Sequence, residues 1–65
     1  MIIIQEGIWR ADCIAAIDTN KNREIQIWPV NSNEPARYEF SSREEMIVVY
    51  KKITAQWIAE LNPKK

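Results

Sequence analysis

The stretch that decides the fold is FSSREEMIVVYKKITAQWIAEL, residues 40–61. Before it, apolar and polar residues alternate, whereas within it apolar residues return every three or four positions. Two overlapping capping boxes open it, Ser41 with Glu44 or Ser42 with Glu45. The apolar stripe consists of Met46, Val49, Tyr50, Ile53, Trp57 and Leu61, widened by Ile47 and Ile58. The pattern predicts one amphipathic helix over residues 42–61, ended by Asn62-Pro63.

The residues before this helix predict strands. Alternation is clearest over residues 23–30, where Ile25 and Ile27 face one side of the strand. The opposite side of that strand carries Glu24, Gln26 and Trp28. The other predicted strands cover residues 2–5, 8–18 and 36–40.

Two irregularities interrupt these strands. Ile14 and Ile17 lie three positions apart, so a bulge or short turn near Asp12 is expected within residues 8–18. Gly7 is the only glycine, and its position is expected to need a positive φ or a tight bend. The polar run 18–22 predicts a turn, because Asx side chains bond to nearby main-chain groups.

These elements predict a single domain, residues 1–65, of the α+β class. We expect an antiparallel three- to four-stranded β-meander packed against one C-terminal α-helix, since nothing else can cover the apolar face of the sheet. The predicted core consists of Ile2, Ile4, Ile14, Ile17, Ile25, Ile27, Tyr38, Phe40, Met46, Val49, Tyr50, Ile53 and Trp57.

Composition limits both stability and function. Nine basic residues balance nine acidic ones, which argues against a general nucleic-acid binder and is compatible with self-association. There is one cysteine and no histidine, so an internal disulfide and a zinc site are both excluded. A domain this small then depends on good packing or on a partner subunit.

The location predicted from these features is the cytoplasm. The apolar start, residues 1–4, is too short for a signal-peptide core, and no run reaches the roughly 20 apolar residues of a membrane span. A lone thiol fits a reducing compartment. Cys13 is interpreted as a small buried apolar residue; the alternative is a nucleophile or redox sensor.

The residues of this chain predict no enzyme, no cofactor and no metal site. Ser41 and Ser42 have no nearby base and are better explained as helix caps. Glu44 and Glu45 are adjacent on the helix and do not face each other, so they are not a catalytic pair. No phosphate-binding loop, dinucleotide fingerprint or metal motif is present.

The layout resembles that of small flagellar proteins of the FlbD type. The likeness consists of an apolar start, the segment Asp12–Asp18, a charged turn, an alternating strand, an aromatic strand and a helix opened by Ser-Ser-Arg-Glu-Glu with Tyr50–Ile53 inside it. The Asn-Gly turns of that family are absent, and Trp28-Pro29-Val30 departs from it. The resemblance implies a fold only.

Exposed apolar residues are the remaining functional signal. Trp28 faces away from Ile25 and Ile27, and Trp9 is expected to share that open face. An alternative is that Trp28 folds over the sheet edge. A second, smaller apolar strip, formed by Val48, Ala55 and Ala59, lies on the side of the helix opposite the core stripe. Its simpler explanation is good helix propensity. The predicted interaction residues are Trp9, Glu24, Gln26, Trp28, Val48, Ala55 and Ala59.

Three functional hypotheses follow. The first is a non-catalytic protein-interaction or regulatory module that forms a homodimer through an exposed sheet face or edge, with an unidentified protein as a further partner. The second is single-stranded nucleic-acid binding by a platform of Trp9, Trp28 and Tyr38 beside Arg10, Lys21, Arg23 and Arg37. The third is an oligomer that acts as a phage or host inhibitor or encloses a small molecule.

Overall fold

The structure is a computed structural model and describes residues 1–62. Its strands are β1 (Ile2–Ile4), β2 (Gly7–Trp9), β3 (Ile14–Thr19), β4 (Glu24–Pro29) and β5 (Ala36–Glu39). A 3₁₀ helix, Ala11–Cys13, separates β2 from β3, and α1 (Arg43–Leu61) follows β5. The predicted α+β class with a C-terminal helix is confirmed. Pro63, proposed as a helix stop, lies outside the described residues.

The strands form two antiparallel sheets, of which the three-stranded one is the predicted meander. One sheet is the hairpin β1–β2, and the other has the order β3-β4-β5. The 3₁₀ helix causes the division, because it interrupts the extended chain where a single run over residues 8–18 is predicted. The hairpin and α1 together cover the inner side of the three-stranded sheet, so the helix is not the only cover.

Backbone strain lies in two turns and not at the glycine. The hairpin turns through Gln5 and Glu6, and Gln5 has φ 51°. Arg23, in the turn between β3 and β4, has φ 59°. Gly7 has no positive φ and lies within β2, so the expectation of a positive φ there is wrong.

The predicted irregularity near Asp12 is confirmed, in two parts. The 3₁₀ helix holds Asp12, and the β3–β4 register shifts between Ile14 and Ala16. The extra residue lets Ile14 and Ile17 both face inward, although they are three positions apart.

The turn between β3 and β4 is closed by Asn20, as the Asx-rich sequence predicts. Its Oδ1 accepts from the main-chain N–H of Asn22 at 2.9 Å and of Glu24 at 3.3 Å. The main-chain N–H of Asn20 donates to the carbonyl of Glu24 at 3.2 Å.

Half of one predicted capping box forms, the half in which the serine accepts from the main chain. Ser42 is the N-cap residue, and its Oγ accepts from the main-chain N–H of Glu45 at 3.1 Å. Ser41 precedes the N-cap position by one residue, and its hydroxyl instead donates to Oε1 of Glu45 at 2.8 Å.

All thirteen predicted core residues are buried or packed against the core. Ala11 and Trp9 also belong to this cluster, although the sequence did not place them there. Ile58 and Leu61 are exposed, so the apolar stripe of α1 is narrower than predicted. Trp57 is the last described helix residue that packs on the core, because α1 meets the 3₁₀ helix there.

Candidate interaction surface

The outer side of the hairpin is an exposed apolar surface that the sequence analysis missed. Ile3 and Ile8 lie directly opposite each other in the β1–β2 register. They are 62% and 66% exposed, while Ile2 and Ile4 on the other side are fully buried. Met1 and Arg10 flank this pair at the open end of the hairpin and are also exposed. These four residues, Met1, Ile3, Ile8 and Arg10, are the hairpin face.

A signal for this surface was present in the sequence. Three successive isoleucines in a strand cannot all face one side, because side chains alternate with a period of two. If Ile2 and Ile4 face the core, Ile3 must face outward. A two-residue loop at Gln5 and Glu6 then sets Ile8 opposite Ile3.

The hairpin packs against the inner side of the three-stranded sheet through Tyr38. The indole Nε1 of Trp9 donates to the Tyr38 hydroxyl at 2.9 Å, and the Tyr38 ring lies against Gly7. Gln5 adds a bond from its Nε2 to the Glu39 carbonyl at 2.6 Å. The opposite side of the hairpin is therefore directed away from that sheet.

α1 lies beside the hairpin in the same layer. Gln56 Nε2 donates to the Met1 carbonyl at 2.6 Å, and the ammonium of Met1 pairs with Glu60 Oε2 at 2.5 Å. This hydrogen bond from the ammonium is the main cause that lowers the pKa of Glu60 below its ordinary value. Desolvation acts in the opposite direction, and the hydrogen bond from Gln56 lowers the pKa by a smaller amount. Trp57 Nε1 donates to the Ala11 carbonyl at 3.1 Å.

The outer side of α1 carries the predicted apolar strip. Val48 is 66% exposed, and Ala55 and Ala59 are also exposed. Met46 and Ile53 lie on the other side of the helix and are buried. The strip therefore faces away from the core, on the same layer as the hairpin face.

Trp9 does not share a face with Trp28. Trp9 packs against the core and bonds to Tyr38, so the expectation that it lies on an open face is wrong. The physical reason is the hairpin register, which places Trp9 opposite the buried Ile2. Trp9 and Tyr38 are on the inner side of the molecule, and Trp28 is on the outer side of β4. No platform of three stacked aromatics exists among residues 1–62.

The outer face of the three-stranded sheet is polar and acidic around Trp28. Trp28 is only half-buried and lies opposite Ala16 on β3. Gln26 lies between Asp18 and Arg37, and Glu24 lies opposite Glu39. Three carboxylates accompany one guanidinium on this face, which opposes the approach of phosphate groups. Like charges directly opposite each other in a sheet also destabilise it.

The edge of β5 is partly closed. Phe40 N–H donates to the Arg23 carbonyl at 2.9 Å. Because main-chain groups of successive residues point alternately toward and away from the neighbouring strand, those of Arg37 and Glu39 point away from β4. The Glu39 carbonyl is taken by Gln5. Charged side chains and a length of four residues also disfavour pairing at this edge.

The edge of β3 is also poorly suited to pairing with another chain. The main-chain bond between Asn20 and Glu24 sets the same alternation here, so the main-chain groups of Ile17 and Thr19 point away from β4. The Thr19 N–H is taken by Oδ1 of Asp18 at 2.8 Å, and the bulge lies at the other end of the strand. Neither edge offers a long, regular row of unpaired groups.

A shallow groove lies between the hairpin and the end of α1, lined by Met1, Arg10, Ala11, Asp12, Glu60 and Leu61. Its charged groups are paired with one another. Arg10 Nη2 donates to Asp12 Oδ2 at 2.9 Å, and Glu60 is paired with the ammonium of Met1. Residues 1–62 contain no cluster of three potential metal ligands.

Cys13 is exposed, so the interpretation as a buried apolar residue is wrong. The 3₁₀ helix directs Ala11 inward, and Cys13 at its end stays on the surface. No helix of the described chain is both long enough and apolar enough to cross a bilayer.

Comparison with known proteins gives no relative. No family model matches the chain. No curated protein matches it, and no solved structure matches it. The resemblance to FlbD-type flagellar proteins therefore stays a likeness of sequence layout.

Proposed function

We propose that this chain is a non-catalytic protein-interaction module that self-associates through the outer side of its hairpin. The observation that carries the proposal is the pairing of Ile3 with Ile8 on a surface that no described residue covers. Adjacent exposed apolar side chains form a contiguous patch, and such patches mark interaction sites when they are large enough. The sheet face proposed from the sequence was the one that carries Trp28, so the hairpin face replaces it in this proposal.

A second copy of the chain is the partner that the composition favours. The formal charge is zero, so no net repulsion opposes association. A 65-residue domain with no disulfide also gains from partner contacts, because its own core is small. The same composition, with a single thiol, supports a cytoplasmic location.

The expected dimer is weak. Burying one exposed isoleucine contributes about 1.5–3 kcal/mol, and these side chains are about two-thirds exposed. Four of them in a symmetric dimer would contribute about 4–8 kcal/mol, against an association cost of about 4–15 kcal/mol. Burial of the hairpin face alone therefore barely offsets the cost of association, and the outer side of α1 is proposed to add contact area. A dimer with a Kd of about 10 μM to 1 mM needs about 4–7 kcal/mol of net stabilisation, so the proposal requires the contacts of α1 to supply most of it.

The test is the double variant Ile3→Thr/Ile8→Thr, because threonine keeps the β-branched shape that strands favour. Sedimentation equilibrium from about 10 μM to 1 mM covers the expected range. The double variant is expected to raise the dimer Kd at least about tenfold, since two apolar side chains per copy become polar.

Val30→Thr is the matched control, because Val30 is 52% exposed and follows β4 outside the hairpin. It is expected to leave the Kd unchanged. Ala55→Glu tests the helix side and is expected to weaken the dimer. A parent chain that stays monomeric at the highest concentration, or a double variant that associates like the parent, would refute the proposal.

A further inference from the structure

Opposite charges lie at the two ends of the hairpin, on either side of Ile8 along the chain. Glu6 lies two residues before Ile8, and Arg10 lies two residues after it. The main chain at Arg10 is still extended, with φ −85° and ψ 139°, so its side chain stays on the side of Ile8. Glu6 lies in the turn that joins β1 to β2, whereas Arg10 lies at the open end, so the two charges are at opposite ends of the hairpin.

Both charges are available to a partner. Glu6 is exposed and makes no hydrogen bond or ion pair within residues 1–62. The Arg10 side chain is 74% exposed, and only its Nη2 is engaged, with Asp12. A guanidinium has five N–H donors, so Arg10 can donate to a second carboxylate without losing its bond to Asp12.

We propose that the second copy docks on the hairpin face with its strands reversed, so that Arg10 of each copy pairs with Glu6 of the other. This inference rests on the proposed self-association. A two-fold axis in the plane of the interface and perpendicular to the strands produces this arrangement. It places β2 of one copy over β2 of the other, with the two strands running in opposite directions. Ile8 then meets Ile8, and both ion pairs form at once, as the self-complementarity of a two-fold interface requires.

The other simple arrangement is less favourable. A two-fold axis along the strands lays β2 of one copy over β1 of the other. Glu6 then faces Gln5, and Arg10 comes next to the positively charged ammonium of Met1. Only the crossing axis gives each charge an opposite charge.

Charge reversal tests the arrangement. Arg10→Glu leaves two carboxylates beside Ile8, and Glu6→Arg leaves two guanidinium groups, so each single variant is expected to raise the dimer Kd at least about tenfold. The double variant Glu6→Arg/Arg10→Glu restores both pairs and is expected to bind within about threefold of the parent. All are measured by sedimentation equilibrium at low salt, where charge effects are strongest.

Two controls isolate the interface. Lys21→Glu makes the same change in net charge as Arg10→Glu in the turn between β3 and β4, and Asp12→Asn removes only the internal ion pair. Neither is expected to change the Kd more than about twofold.

The outcomes separate the two proposals. Single reversals that leave the Kd unchanged, or a double variant that fails to restore it, would overturn the reversed pairing while self-association stands. A parent chain that does not associate would overturn both.

Discussion

The phenol ring of Tyr38 occupies the space that a side chain at Gly7 would need. A Cβ built on Gly7 would lie 3.1 Å from Cζ of Tyr38 and 3.2 Å from its Cε1, and closer still to the hydroxyl. Trp9 holds this ring in place, because its Nε1 donates to the same hydroxyl. The single glycine of the chain is therefore required by a close approach between the hairpin and β5.

Gly7→Ala is expected to lower the free energy of unfolding by about 1–3 kcal/mol, because the added methyl overpacks a ring that is already hydrogen-bonded. Urea denaturation of the parent and the variant measures the change.

Tyr38→Phe provides the matched control for Gly7→Ala. It removes the nearest atom, so the double variant should lose less stability than the sum of the two single variants, with a coupling of about 0.5–3 kcal/mol. Strict additivity would mean that the ring is not the obstacle.

Ser42→Ala should destabilise the protein more than Ser41→Ala does. Ser42 accepts from the Glu45 N–H at the helix start, and losing such a cap costs about 0.5–2 kcal/mol. Ser41 only donates to the exposed Glu45 carboxylate, so its loss should cost less than about 0.5 kcal/mol. Thermal unfolding followed by circular dichroism compares the two, and equal losses would contradict the assignment of the cap.

Arg23→Gly should stabilise the protein by about 0.5–1 kcal/mol. A left-handed conformation costs an L-residue about 1–2 kcal/mol, and glycine avoids most of this at some cost in chain entropy. Lys21→Gly in the same turn is the control, because φ at Lys21 is not positive, and it should be neutral or destabilising. Urea denaturation of the parent and both variants measures the free energies of unfolding. A loss of stability in Arg23→Gly would show that the turn is not strained at this residue.

Glu60 should titrate below its ordinary pKa of 4.5, because the ammonium of Met1 donates to its carboxylate. The folded-state pKa is thus lower than the unfolded one. The pair therefore stabilises the fold above the unfolded pKa, and this contribution is lost as the pH falls through the folded pKa.

Acetylation of the chain start removes that ammonium and should raise the pKa of Glu60. NMR titration of the Glu60 side chain measures the shift. An unchanged titration after acetylation would show that the ion pair does not form in solution.

Part of the candidate site could be predicted from the sequence. The outward side of Val48 on α1 and of Trp28 on β4 follows from local periodicity, and both are found there. Trp9 was assigned to the wrong side, and Ile3 and Ile8 were missed. A period of two tells which residues share a face but not which face is covered. That choice depends on contacts between distant parts of the chain, such as Trp9 with Tyr38.

The sequence by itself determined where the helix begins, which residues alternate and most of the side chains that form the core. These properties follow from the repeat of a single helix or strand, and burial of apolar area selects the inner side. The tertiary structure alone decided that the strands divide into two sheets, that Gly7 makes room for Tyr38, and that Ile3 and Ile8 stay exposed. The first depends on the 3₁₀ helix, and the other two depend on how the hairpin Ile2–Trp9 packs against a strand about thirty residues later.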